Sequence, residues 1–424
     1  MKNNRLVAMA LSAAMTLTSL SPIAVQAAPA ASQQPITSAT AVPAKPDITQ
    51  LENFSELFAN AKKFIDNPKT WDKIPAKVTL CIFSPGGANG EGFDFVMENI
   101  KELPKYTQIA KNMGLDLKIT MKTPLEMHID FASAKLKRKA SSDISFRIYT
   151  NERVATEDFK AGQCDGVAIS NLRARAFNHF VGSIDSIGAI ESYEQMSEAI
   201  RLLAKPEAAK YMVNKDFEIV ALIPLGAAYI MVNDRKINSL AKAAGKKIAV
   251  MDFDKSQAKM VQQIGAQPVA VDLTNIAGKF NNGQVDIIAG PALIFQPLEL
   301  YRGMTEPNGN VRGAIIRFPV VHVTGVMMMH RGKFPDGIGQ LMREFAATQT
   351  PLAYQFVDKV EKSIDERYWI DVLEADKPGY QKLMRESRIA MTKEGYYDKN
   401  MMGFLKKIRC RFNPASYECG LTDE

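Results

Sequence analysis

The chain has 424 residues, 46% of them hydrophobic and 23% charged, with a formal charge of +7. Those proportions are globular, and the length suffices for two or three domain-sized cores. So mild a charge argues for solubility and weak attraction to anionic surfaces, and says nothing of fold. Four cysteines without a C-x-x-C spacing argue against a thioredoxin-type redox centre or a zinc ribbon.

Residues 1–27 have the layout of a secretory signal peptide. Lys2 and Arg5 precede an apolar run from Leu6 to Leu20, Pro22 breaks it, and Val25-Gln26-Ala27 forms an A-x-A-like cleavage site. The run is shorter than the ~20 residues a membrane-spanning helix needs. Small residues at the site and polar sequence beyond it favour cleavage after Ala27 over an uncleaved anchor. The first cysteine is Cys81, too distant to carry a lipid at that site. No later segment approaches a membrane span. The expected location is the periplasm, where neither ATP, nicotinamide cofactors nor nucleic acid is an expected partner.

Residues 28–47 are rich in Ala, Pro, Ser and Thr and bury too little apolar surface to offset chain entropy. Helical spacing follows over 48–66, carried by Leu51, Phe54, Leu57, Phe58, Ala61 and Ile65. Together, 28–75 read as a linker and an N-terminal helix. The folded core begins near Lys77 with the apolar run Val78–Phe83, which ends in Ser84-Pro85-Gly86-Gly87. A helix pattern over Phe93–Met113 and a strand over Leu115–Met121 complete a β-loop-α-β opening. The dense basic cluster Lys135, Lys137, Arg138 and Lys139 reads as a solvated turn or edge strand, with a docking patch as the alternative.

Further on, Thr156–Lys160 is helical, Gly166–Ser170 is strand-like, and Tyr193–Asn214 is helical. The long apolar run Glu218–Val232 is interrupted by Pro224 and Gly226. A second βα set starts at Lys246, with strands Lys247–Met251, Pro268–Val271 and Val285–Ala289 and helices Lys255–Ile264 and Asn275–Phe280. Ile315–Met329 is another long extended stretch, and Ile338–Arg409 is mostly helical. Alternating strands and helices imply parallel sheets covered by helices. Two such sets joined by two long extended segments imply two lobes with a cleft: a first lobe over 76–225, a second over 226–320, and a crossing strand with C-terminal helices over 321–424.

The stretch from Gly226 to Pro291 resembles the second-lobe core of solute-binding proteins of tripartite ATP-independent periplasmic (TRAP) transporters. A strand ending in Asn233, then Gly245-Lys246-Lys247-Ile248-Ala249-Val250, Gly265-Ala266-Gln267-Pro268 and Gly283-Gln284-Val285-Asp286 follow that family's order. Upstream, Phe159 to Gly166 is similar to its L-x-x-G-x-x-D pattern. The resemblance covers about residues 77 to 335. It implies an α/β, type II-like two-lobe periplasmic binding protein with parallel and mixed sheets, helices on both faces and long interlobe strands. The N-terminal extension and Cys-bearing tail look like one divergent branch, the AdeT-type solute-binding proteins, linked by name to aminoglycoside efflux. A soluble chain cannot itself be a pump, so an efflux role is an accessory one.

The departures bear on the ligand. That family usually has Arg where this chain has Ala249, a second basic residue in the strand occupied by Ala228-Tyr229-Ile230, and a polar residue where Gly290 stands. A bidentate guanidinium is hard to replace in carboxylate capture. Asp252 and Asp254 could meet a cationic or hydroxylated ligand, although Asp254 also suits an N-cap for the helix at Lys255. The Gly-rich turn after Phe83 could offer backbone N–H groups to an anion or be a plain turn; it lacks the Lys-Ser/Thr of a P-loop. The candidate contacts are Ser84, Gly86, Gly87, Ser170, Asn171 and Arg173 in the first lobe and Tyr229, Asp252, Phe253 and Gly290 in the second. For Arg173 the alternative is a surface salt bridge, and for Tyr229 and Phe253 it is core packing.

Catalysis and metal binding find little support. Ser239 with Lys242 and Ser256 with Lys259 both match S-x-x-K, without S-D-N or K-T-G; G-x-S-x-G and H-E-x-x-H are missing. His128, His179, His322 and His330 are scattered without ligand spacing. Cys410 and Cys419 flank a turn-forming Asn413-Pro414 and are expected to pair; Cys81 and Cys164 either pair or remain buried thiols. The expectation is a monomeric, non-enzymatic, cofactor-free protein that captures a small-molecule solute for a membrane permease. The alternative is an envelope accessory protein that contacts an efflux component.

Overall fold

The computed structural model describes residues 54–89 and 107–424. The signal peptide, the linker and most of the helix expected over Phe93–Met113 lie outside those residues. Among the described residues, eleven strands form one mixed sheet: β1 Lys77–Phe83, β2 Asp116–Thr123, β3 Glu126–Ser133, β4 Arg138–Tyr149, β5 Gly166–Ser170, β6 Phe217–Val232, β7 Lys247–Met251, β8 Gln267–Val271, β9 Ile287–Pro291, β10 Ala314–His330 and β11 Trp369–Ile370. Their order is β2-β3-β4-β1-β5-β10-β6-β9-β7-β8, with β11 beside β10.

β6 and β10 join the two halves of this sheet. They run antiparallel to each other over nearly their whole lengths, from Ala314 opposite Val232 to His330 opposite Phe217. The C-terminal part of β10 also pairs with β5, Gly325 facing Ser170. The C-terminal part of β6 pairs with β9, Ala228 facing Pro291. Each long strand therefore serves both halves. Apolar residues fill them almost continuously, as strands covered on both faces require. Pro224 and Gly226 do not interrupt β6, contrary to the sequence expectation. They sit where the register with β10 shifts, so the bulge absorbs them. Gly226 has φ +96, and a Cβ there would lie 2.8 Å from Val357, so only glycine fits this bend.

The opening of the fold differs from the β-loop-α-β reading. The strand expected at Leu115–Met121 is β2, but it lies at the far edge of the sheet. β1 pairs instead with β4, in parallel, Lys77 facing Asp143. β2, β3 and β4 form an antiparallel meander, of which β3 and β4 have no counterpart in the sequence expectation. The basic cluster lies on the tight turn between β3 and β4, where Lys137 has φ 53. Lys135 pairs with Asp66 and Arg138 with Asp72, so this cluster fastens the meander to the N-terminal helices. The helix expected at Thr156 begins at Glu152, because Asn151 caps it from its side chain. The helix from Tyr193 stops at Leu203, ahead of Pro206, which starts a 3₁₀ segment.

The first half's core gathers Phe159, Val167, Met196 and Met328 with Met401 and Leu405 from the last long helix. The second half's core gathers Met231, Phe280, Ile288 and Phe295. Met391 and the helix Lys399–Phe412 thus pack back onto the first half, while Val360 and Tyr380 pack with the second. Behind them the tail carries the disulfide Cys410–Cys419. There Arg388, 1% exposed, grips both carboxylate oxygens of Glu424 and one of Glu418, and Arg409 grips the same two residues. Nη1 of Arg388 also donates to the carbonyls of Ile187 and Gly188, and the Gly188 N–H donates to Val320 on β10. Among the described residues no helix is long and apolar enough to cross a membrane.

A second disulfide joins Cys81 on β1 to Cys164 ahead of β5, both fully buried in the core. It closes 83 residues, against 9 for Cys410–Cys419. Chain entropy then predicts that urea denaturation of Cys81→Ala/Cys164→Ala will show a loss of roughly 4.5 kcal/mol, against roughly 2.6 kcal/mol for Cys410→Ala/Cys419→Ala. Equal losses would contradict this account.

His322 lies buried on β10, edge-on to Tyr193 at 5.1 Å. Burial pushes its imidazole down to about 4, against a smaller opposing pull from the Glu191 backbone. The folded form therefore refuses a proton that the unfolded chain accepts below about pH 6.5. Its contribution to stability is intact above that pH and is lost progressively as pH falls toward 4. Calorimetric melting across this window should show a flatter pH dependence for His322→Phe than for the parent, by at most about 3 kcal/mol.

Candidate functional site

Parallel strands from both halves end at one crevice. β1 leads to Pro85 and Gly86, β5 ends at Ser170, β7 leads to Phe253, and β9 carries Gly290. Ligands of open α/β sheets bind outside the carboxyl ends of strands in this way. The crevice holds a cavity of about 460 Å³, a size suited to a small organic ligand. The crossing strands floor it through Ile223, Leu225, Val321 and Val323.

Of the residues singled out from sequence, Gly86, Ser170, Phe253 and Gly290 line this cavity. Gly290 leaves room for Ile294, whose Cδ1 would lie 2.4 Å from an added Cβ. Ser170 caps the short helix after β5 by accepting from the Arg173 N–H. Ser84 and Gly87 instead close their own turn: the Ser84 hydroxyl donates to the Gly87 carbonyl, and the Gly87 N–H donates back to Ser84. Asn171 is buried and donates to Val181 and Asp185. Tyr229 is buried with its hydroxyl on Glu361 and its ring edge-on to Trp369. Asp252 is exposed and does not line the cavity.

Arg173 does not line the cavity; it is partly exposed beside it. Its Nε donates to Glu152 at 3.0 Å, and its guanidinium lies 3.9 Å from the Phe253 ring centroid. That cation–π contact spans the two halves. Two residues on, Arg175 makes a second crossing, donating to Asp254 at 3.2 Å. Asp254 caps the helix Lys255–Gln263 with its other oxygen, so one carboxylate caps a helix and fastens the halves. Tyr397 lies against Arg175 at 5.2 Å. Two further carboxylates face the cavity. Glu152 accepts from the Ser170 N–H and from Arg173, while burial pushes its carboxyl upward. Asp185 accepts from the N–H and hydroxyl of Thr324 on β10; burial pushes it up to about 6.

Glu152, Arg175 and Asp185 are absent from the contacts expected from sequence. Glu152 precedes the helix expected from Thr156, and nothing local separates Arg175 from Arg173. The Arg175–Asp254 separation in sequence hides the pair altogether. Among the described residues no group of His, Cys, Asp or Glu is placed to hold a metal ion.

Arg175 and Asp254 are both largely buried, their side chains 14% and 6% exposed. Removing one partner strands the other charge. Arg175→Met should therefore cost about 3 kcal/mol in urea denaturation. Adding Asp254→Asn, which retains the helix cap, should recover at least half of that loss. Strictly additive losses would show that the pair is not coupled.

Comparison with known proteins places this geometry. The model of the family described as "Solute-binding protein AdeT 1/2" matches residues 31–424. The probable solute-binding protein AdeT1 of Acinetobacter baumannii is 46% identical over 283 residues, 67% of this chain and 91% of that one. In structure, the chain is similar to a TRAP periplasmic solute-binding protein from Desulfovibrio salexigens with bound orotic acid, at TM-score 0.58 and 14% identity, covering 80% of this chain and 99% of that one. It is also similar to one from Haemophilus influenzae with bound L-gulonate, at TM-score 0.57 and 13% identity, covering 78% and 99%. These descriptions speak of solute binding and not of efflux. The two-lobe fold expected from sequence is thus the fold observed, and the chain belongs to the AdeT 1/2 solute-binding protein family.

Proposed function

We propose that this protein works in the periplasm as a non-catalytic receptor that closes on one small molecule and passes it to a membrane permease. The carrying observation is the cavity of about 460 Å³, walled by strand ends from both halves and floored by the two strands they share. In this reading 76–225 act as one lobe, 226–320 as the other, and 321–424 as crossing strand and brace. Closure bends β6 and β10 at the register shifts near Gly226. The Arg173–Phe253 and Arg175–Asp254 contacts hold the closed form. Solute capture by relatives of the same fold supports it, since orotic acid and L-gulonate are bound there.

Native mass spectrometry of the protein purified from periplasm tests the proposal. The expected result is a one-to-one complex that releases a small molecule on denaturation. Refilling the emptied protein with that molecule should raise its melting temperature, by about 2.7 kcal/mol of added stability at 100 times the dissociation constant. A protein that carries no small molecule and is stabilised by none would support the accessory, protein-contact role instead.

A further inference from the structure

We infer that the captured solute is an uncharged, mainly apolar molecule, because every charged side chain on the described cavity wall is already matched within the protein. The inference rests on the solute-binding reading and names its ligand class. Among the described residues, charge reaches the wall only from Glu152, Arg175, Asp185 and Asp254. Glu152 is held by Arg173 and the Ser170 N–H. Arg175 donates to Asp254 and to the Gly182 carbonyl. The second oxygen of Asp254 accepts from the N–H and hydroxyl of Ser256. Asp185 is engaged through both oxygens by Thr324.

Arg175 is the one cationic side chain on this described wall, and its charge is already offset by Asp254. A carboxylate there would lose its hydration without a counter-charge, which is unfavourable. A polycation fares poorly too, since Glu152 and Asp254 already carry arginine partners and Asp185 is buried against Thr324. The remaining wall consists largely of side chains such as Leu225, Ile230, Ala249, Leu293, Phe356 and Leu383. These gain by covering apolar ligand surface. Ala249 matters most among them. It sits half-buried on β7, where a longer basic side chain would supply the missing cation.

The test is fluorescence titration of the intact protein with N-phenyl-1-naphthylamine, an uncharged apolar dye. The expected result is saturable, one-to-one enhancement at micromolar dye, competed by 1-octanol or indole and unaffected by millimolar orotate, L-gulonate or kanamycin. Ala249→Arg and, separately, Leu225→Asn should each weaken dye binding at least tenfold; circular dichroism and melting identify any variant that fails to fold. If the dye is refused while orotate, L-gulonate or kanamycin raises the melting temperature, the ligand class is wrong and solute binding stands. If dye binds equally to the parent and both folded variants, it binds elsewhere and the inference falls. If no probe binds and no small molecule co-purifies, the solute-binding reading falls with it.

Discussion

The antiparallel pairing of β6 with β10 is the constraint on which the rest of the molecule depends. Two strands of 16 and 17 residues are hydrogen-bonded along nearly their full lengths, and every other strand is attached to one side or the other of that ladder. β5 and the first half's sheet hang from the end of β10, and β9 with the second half's sheet hangs from the end of β6. The register shift at Pro224 falls within this ladder, beside the crevice. The cavity floor is the same ladder seen from inside. Support and cavity floor are therefore one object, and the apolar character demanded by two-sided burial is carried into the cavity.

Polar groups in the site follow a consistent pattern. Each carboxylate facing the cavity also holds part of the fold in place. Glu152 opens a helix and ties down β5, Asp254 caps a helix on the opposite half, and Asp185 anchors β10 through Thr324. Their partners come from the protein, so burial is tolerated. The contacts that join the halves are an ion pair and a guanidinium stacked on an aromatic ring. Both are interactions of charge, which strengthen in a lower dielectric.

Much of this is legible in the sequence, and the omissions have physical causes. The buried strands β6, β7 and β10 announce themselves as apolar runs, and the helices around them by periodicity and caps. β3 and β4 do not, because they are partly solvated strands of an edge meander whose polar and apolar residues alternate weakly. The position of β2 escapes a local reading because pairing partners depend on topology and not on local pattern. In the cavity lining, Gly86, Ser170 and Phe253 lie at or just beyond strand ends, and Gly290 is marked by the family resemblance. Arg175 cannot be found in these ways, because its significance lies in Asp254, a residue distant in the chain. Tyr229 is expected to face the ligand because it lies on a crossing strand. Strand alternation turns it the other way, onto Glu361.

The C-terminal tail has a consequence for how this protein can be handled. Glu424 neutralises two buried guanidiniums, and one of these, Arg388, braces the loop whose Gly188 N–H is bonded to Val320. Val320 itself belongs to the cavity lining. What looks like a dispensable appendix is thus mechanically coupled to the cavity wall, and trimming away Glu418 and Glu424 would strand two buried guanidiniums one step from that wall.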